Sequence, residues 1–293
     1  MRLLTNLLSK VTLSSMVLTA PAMITLNTSG NGNGLPLAKI TMPDYYAASI
    51  IKRFVDHPYA EGIRAFGVTR EEPTSFSPAE GAAARAVELK TVINQASLLY
   101  MDMKLESKGL DEKAFEYAWR GYHNLLKKGL IRKKTVLSIC DFSQSSCSKR
   151  MYVIDVQHKR LLYRTYVAHG QKSGSEYATN FSNDQDSYMS SLGFYITQRT
   201  YLGHNGLSLK LNGVDSGFND MALKRQIVLH GSAYVSDRYM QDFGTLGTSL
   251  GCPALPASIS GKIIRAVKDG SVLFIYHPTQ QYLSHSPVIN GYM

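Results

Sequence analysis

Acidic side chains and cysteines are both scarce in this chain. Twenty-two Asp and Glu stand against thirty-two Lys and Arg, giving a net charge of +10, and there are three cysteines in 293 residues. The spacings C-x-x-C and H-E-x-x-H are missing, which argues against a zinc module or a zincin. There is no G-x-S-x-G elbow and no Gly-rich phosphate loop, which sets aside α/β-hydrolase and P-loop chemistry. No internal repeat is found, and beyond the first two dozen residues no apolar run approaches the length needed to span a bilayer. No cofactor and no metal are expected. With 44% apolar residues the chain is nevertheless rich enough to bury a full core, so it is not a disordered protein.

The amino terminus sets the compartment. Arg2 and Lys10 precede an apolar run from Val11 that ends in Ala20-Pro21-Ala22, the pattern of a secretory signal over residues 1–22, with an uncleaved membrane anchor stretching to Leu26 as the alternative. An exported protein that stays basic without Arg2 and Lys10 is drawn to anionic envelope surfaces, and export argues against nucleic acid as a partner. The run KKGLIRKK (127–134) is read as a solvated helix end and turn. In an oxidising compartment Cys140 and Cys147 are spaced to close a small disulfide loop with a contribution of about 2.5 kcal/mol. Cys252 is then left over, and a free thiol outside the cytoplasm calls for a reason.

Periodicity divides the rest. A Gly/Asn-rich spacer occupies residues 23–42, and a helical N-terminal region runs over 43–133. Ser77-Pro78-Ala79-Glu80 forms a capping box with Pro at the first helical position. After Asp111 as cap, Phe115, Ala118, Trp119, Tyr122, Leu125 and Leu126 recur at helical spacing, and Gly129 marks the end. Over residues 134–280 the pattern changes to short runs separated by turns: 135–139, 151–156, 161–168, 193–200, 207–211, 226–230 and 271–276, interrupted by one helix near 256–268. The expected fold class is α+β, a helical N-terminal region followed by a mostly antiparallel β domain with one packed helix. Residues 281–293 read as a polar tail. Oligomeric state is left open.

Cys252 sits between Gly251, which clears the approach to the sulfur, and Pro253, which stiffens the turn; the N–H groups of Gly251 and Cys252 are candidates for an oxyanion site. A thiol becomes a nucleophile only as thiolate, so a base or cation must lie nearby. His230 ends the run IVL and is followed by Gly231, a strand-end position from which an imidazole, oriented through its other nitrogen, can reach a cleft. His169 also ends a run before a glycine, and spacing alone does not reject it.

IVLHGS (227–232) followed by TSLGCPALP (248–256) resembles the signature of the YkuD-type L,D-transpeptidases, in their divergent murein L,D-transpeptidase branch. Further likenesses are DFSQSS (141–146), VAHGQKSG (167–174), FSN (181–183), SSLGFY (190–195), GFNDMALKRQIVLHG (217–231) and GSVLFIY (270–276). The eighteen residues between His230 and Ser249 exceed the usual gap, and Leu250 and Ala254 stand where the family pattern carries polar residues. The resemblance implies an L,D-transpeptidase-like β sandwich at 134–280 acting on peptidoglycan stem peptides without a cofactor, and acylation of Cys252 by carbapenems. It implies Cys252 as nucleophile forming a thioester, His230 as base, and an amine acceptor from another stem, an amino acid or a protein; water as acceptor would make it a carboxypeptidase. Ser249 is then a candidate for a hydrogen bond within the turn or to substrate, and Asn183, Ser190, Ser191 and Arg225 are candidates for a donor groove, Arg225 through a stem carboxylate. His169 is a candidate substrate contact or support, and Tyr234 part of a mobile flap between His230 and Ser249.

Overall fold

A computed structural model describes residues 78–291. The signal segment 1–22, the spacer 23–42, the start of the helical region and Ser77 lie outside the described residues. Two helices, α1 (Pro78–Asp102) and α2 (Glu112–Lys127), lead into the strands. The α2 cap forms as the sequence predicts: Asp111 accepts from the amide of Ala114 at 2.9 Å. Gly129, at φ +69°, follows its end. The helix buries Phe115, Ala118, Trp119, Tyr122 and Leu125. Gly121 is what lets it approach the sheet, since a Cβ there would lie 2.1 Å from the Phe194 ring.

The strands are β1 (Val136–Asp141), β2 (Met151–Asp155), β3 (Arg160–Thr165), β4 (Gly193–Gly203), β5 (Gly206–Gly213), β6 (Val228–Ser232), β7 (Ala254–Pro256) and β8 (Val272–Tyr276). They form one eight-stranded sheet ordered β3-β2-β1-β8-β4-β5-β6-β7. Pairing is antiparallel except β1 with β8 and β6 with β7. All of β1, β2 and β8 is buried, which explains their near-continuous apolar character. Helix α4 (Ala257–Val267) buries Ile263, Ile264 and Val267, and a Cβ on Gly231 of β6 would meet Ser260 of this helix. This is the α+β architecture expected from the sequence.

Several boundaries differ from the sequence reading. Among the described residues, helices and sheet share one hydrophobic core across residue 134. A short helix, α3 (Asp237–Phe243), capped by Ser236 and closed by left-handed Gly244, occupies the segment expected to be a mobile flap. The polar tail is not a tail. Tyr282 within helix α5 (Gln280–His285), and Ser286, Val288 and Ile289 after it, are buried. The buried carboxylate of Asp215 accepts from the Tyr282 hydroxyl at 2.8 Å, Ser286 Oγ at 2.6 Å and the Phe194 amide at 3.0 Å. The segment's polar composition hid it because these polar groups face a buried acceptor rather than water.

The expected Cys140–Cys147 disulfide is also absent. Cys140 lies in fully buried β1 with its sulfur 3.1 Å from Met151 Sδ, while the Cys147 sulfur lies 3.7 Å from the Gly244 carbonyl oxygen. Strand β1 commits the first thiol to the core, and the turn after it carries the second toward α3.

Candidate active site

Parallel pairing of β6 and β7 builds the site. His230 is in register with Ala254, so the same register two residues earlier sets Cys252 opposite Val228. The Val228 amide donates to Cys252 Sγ at 3.4 Å, and the thiol lies 3.9 Å from the carbonyl oxygen of Gln226. Gln226 has a left-handed backbone, φ +57°, a conformation that a non-glycine residue adopts at a cost. Strand alternation puts Val228 and His230 on one face and Leu229 on the other, in the core. Sulfur and imidazole thus belong to the same strip of surface, but no hydrogen bond joins them in this structure.

The imidazole is set up as an acceptor. Its Nδ1 is 3.1 Å from the Gly231 carbonyl oxygen, which can only accept, so Nδ1 carries the proton and Nε2 has the lone pair. Burial lowers the His230 pKa, partly opposed by that hydrogen bond, which keeps the ring neutral at neutral pH. Burial pushes the Cys252 thiol up, while the Val228 amide and the Arg225 guanidinium act downward. The resting pair is a neutral thiol near a neutral base.

The turn itself departs from the oxyanion geometry expected of Gly251. Its amide donates to Ser249 Oγ at 3.0 Å, and Ser249 Oγ donates to the Cys252 carbonyl at 2.6 Å. Ser249 therefore clasps the turn rather than facing a substrate, and of the two amides proposed for an oxyanion only that of Cys252 has no acceptor among the described residues. Gly251 is required for another reason. At φ +119° a Cβ would lie 2.8 Å from the Met189 carbonyl oxygen.

Most of the other polar candidates are also structural. Ser190 Oγ accepts from the Gly170 amide and donates to the Gly251 carbonyl. Ser191 Oγ accepts from Arg225 Nη1, and Asn183 donates to Asp220 and accepts from the Met221 amide. Each of them bonds within the protein and so helps to hold the walls of the site. Tyr234 is half-buried, packs on Gly247, and is close enough to Cys252 for its pKa to respond to the thiol's charge. Its segment is ordered through α3 and the bond from the Gly247 amide to the Tyr234 carbonyl. Leu250 and Phe243 are exposed beside it in sequence. Among the described residues no cluster of three His, Cys, Asp or Glu is placed to hold a metal ion.

His169 faces inward. Its Nε2 donates to the Gly174 carbonyl at 3.0 Å, and its Nδ1 accepts from Nη2 of Arg150 at 2.7 Å. Arg150 was missed in the sequence because a lone arginine after a turn has no distinguishing pattern. The backbone of His169 in turn accepts from the Ser249 amide at 2.9 Å, so this buried pair underlies the cysteine turn. Burial, with Arg150 beside it, lowers the His169 pKa to about 4. The folded protein thus keeps this ring neutral while the unfolded chain protonates it near its ordinary 6.5. Stability from this site is full above pH 6.5 and falls as pH drops toward 4, by about 3 kcal/mol in all. Urea midpoints measured across that window are expected to slope less in His169→Gln than in the parent; equal slopes would refute the assignment, since His123, His230 and His277 remain in both.

A family model for the L,D-transpeptidase catalytic domain matches residues 106–276. The chain belongs to the L,D-transpeptidase catalytic domain family. No curated protein matches it. Solved structures similar to it include an L,D-transpeptidase from Mycobacterium smegmatis, at 10% identity over 49% of this chain and 59% of that one, TM-score 0.30. Another is an L,D-transpeptidase from Stackebrandtia nassauensis, at 14% identity over 56% and 67%, TM-score 0.29. The helical cell shape determining protein Pgp2 from Campylobacter jejuni follows at 15% identity over 58% and 62%, TM-score 0.34. The chain spans 59% of the first of these structures.

Proposed function

We propose that this protein is an exported peptidoglycan L,D-transpeptidase with Cys252 as nucleophile and His230 as base. The observation that carries the proposal is the register of β6 and β7 within the matched family domain, which brings the partly exposed Cys252 thiol next to the strand that carries His230, whose Nε2 has no partner among the described residues. Nε2 takes the thiol proton, and the sulfur adds to the carbonyl at an L-to-D peptide bond of a stem peptide. The imidazolium returns that proton to the leaving D-amino acid's amine, and a thioester remains. An acceptor amine, deprotonated by His230, then attacks the thioester; the thiolate leaves and an amide forms. The acceptor is a second stem, an amino acid or a protein amine, and water in its place gives the carboxypeptidase variant.

The basic balance supports contact with an anionic envelope surface; a cavity of ≈ 430 Å³ between α1, α2 and the C-terminal segment is lined by Arg85, by Arg120, which pairs with Glu116, and by Lys127, which pairs with Glu88. One observation favours a second reading. Because sulfur and ring share no hydrogen bond, the groove also suits an envelope-binding protein without turnover.

Purified protein incubated with tetrapeptide-stem muropeptides separates the readings. Mass spectrometry is expected to show a cross-linked dimer with loss of the D-amino acid; a bare tripeptide indicates hydrolysis, and unchanged substrate indicates binding alone. A carbapenem adduct is expected on the parent protein, and an adduct that persists in Cys252→Ala would remove the assignment.

A further inference from the structure

Arg225 lies three residues before the start of β6 and is half-buried. Among the described residues no carboxylate lies within ion-pair distance of its guanidinium. Its partners are neutral, all from one loop: Nη1 donates to the Ser182 carbonyl at 2.7 Å and to Ser191 Oγ, and Nη2 to the Met189 carbonyl at 2.7 Å and Ser187 Oγ at 3.1 Å. Four hydrogen bonds fix the position of the charge without cancelling it. They also leave the guanidinium with little capacity for a substrate carboxylate, the role its residue type suggests in the sequence.

The same guanidinium lies against the cysteine turn. A Cβ on Gly251 would stand 3.3 Å from Arg225 Nη2, so the missing side chain is what allows the cation to approach the residue preceding the nucleophile. The titratable groups near the sulfur are Arg225 ahead of β6, His230 on it and Tyr234 after it. Of these, Arg225 is the cation, since the ring is neutral at rest and a phenol carries no positive charge. Asp184, Asp186 and Tyr195 also lie within the field of the guanidinium, without an ion pair.

We infer that Arg225 is the counter-charge of the Cys252 thiolate, a positioning residue that holds the nucleophile in its ionised form after Nε2 of His230 has taken the proton. The inference rests on the reading of Cys252 as nucleophile. It divides the work of a catalytic ion pair between two residues: the imidazole moves the proton, and the guanidinium stabilises the charge left behind. No electron transfer or co-reactant is involved.

The test is the pH dependence of iodoacetamide alkylation in the full chain, followed by mass spectrometry of the peptide that holds Cys252, which separates it from Cys140 and Cys147. Arg225→Met is expected to raise the midpoint by about one pH unit, making alkylation below both midpoints about tenfold slower. Arg225→Lys, which keeps the charge but not the fan of hydrogen bonds, is expected to stay within about threefold of the parent, and so is the double variant Ser187→Ala with Ser191→Ala. An unchanged midpoint in Arg225→Met, or a shift in Arg225→Lys as large as that in Arg225→Met, overturns the inference. If Arg225→Met loses its native circular dichroism, the parent protein decides: its midpoint rises from low to molar salt if a fixed cation holds the thiolate, and a flat response refutes it. Because alkylation needs no stem peptide, a missing transpeptidase product would count against the proposed function and leave this result standing.

Discussion

Cys252→Ala is expected to bring both dimer and tripeptide products from tetrapeptide stems to background, a loss of at least about 10⁴-fold, because no other group at the site can form the thioester. Cys140 cannot substitute, being fully buried in β1 with its thiol pushed up to about 12, and Cys147 lies beside Gly244. His230→Gln is expected to be less complete, about 10²–10⁴-fold, since it removes proton transfer but leaves the sulfur in place. Part of that loss should be recovered at high pH, where the thiol ionises without help. This follows from the resting geometry: the thiol is held by the Val228 amide and raised by burial, so its ionisation is the step that the imidazole supplies. Initial rates across pH, with circular dichroism to verify folding, check both variants. Full turnover in Cys252→Ala would end the proposed chemistry, and a pH profile for His230→Gln parallel to that of the parent would remove the ring as base.

The strands, and the two residues on which the candidate site is built, stand out in the sequence for physical reasons. A strand buried on both faces is apolar along most of its length, and 136–141, 151–155 and 272–276 are such runs, with Ser138, Asp141 and Asp155 as their polar members. Cys252 and His230 stand out because each is flanked by a glycine where a backbone must pass closely, Gly251 over Met189 and Gly231 over Ser260. The polar candidates around them were not legible in the same way. A serine or asparagine in a loop satisfies a backbone group as readily as a ligand, and which of the two it does is decided by segments far away in sequence. Ser190 reaches Gly251 across 61 residues, and Arg225 reaches Ser191 across 34. Helix α3 and strand β7, of seven and three residues, are shorter than the window over which periodicity can be read. The tail was misread because Tyr282, Ser286 and Val288 are ordered by Asp215, a partner the local sequence does not reveal.

Arg150→Met is expected to destabilise the protein by about 3 kcal/mol, a fall in melting temperature of roughly 10 °C for a unit of this size. Arg150 is fully buried, and no carboxylate pairs with it among the described residues. It donates to the Val167 carbonyl through Nε at 3.1 Å and Nη2 at 3.0 Å, and to the Gln144 carbonyl through Nη1 at 2.7 Å. Nη2 also meets His169 Nδ1, and the guanidinium lies 4.7 Å from the centre of the Phe142 ring. Desolvation lowers its pKa to about 10, so the cation costs free energy to bury, and methionine would recover that cost. Methionine would also leave three buried acceptors without donors, each worth about 1–3 kcal/mol, and this outweighs the recovery. The damage should extend to the site, because the His169 carbonyl holds the Ser249 amide and the turn carrying Cys252 follows directly. Urea unfolding of the parent and of Arg150→Met measures the first effect, and the rate of Cys252 alkylation at fixed pH measures the second. A variant as stable as the parent would show that the buried cation is dispensable to the scaffold, and the coupling between Arg150, His169 and the cysteine turn would have to be abandoned.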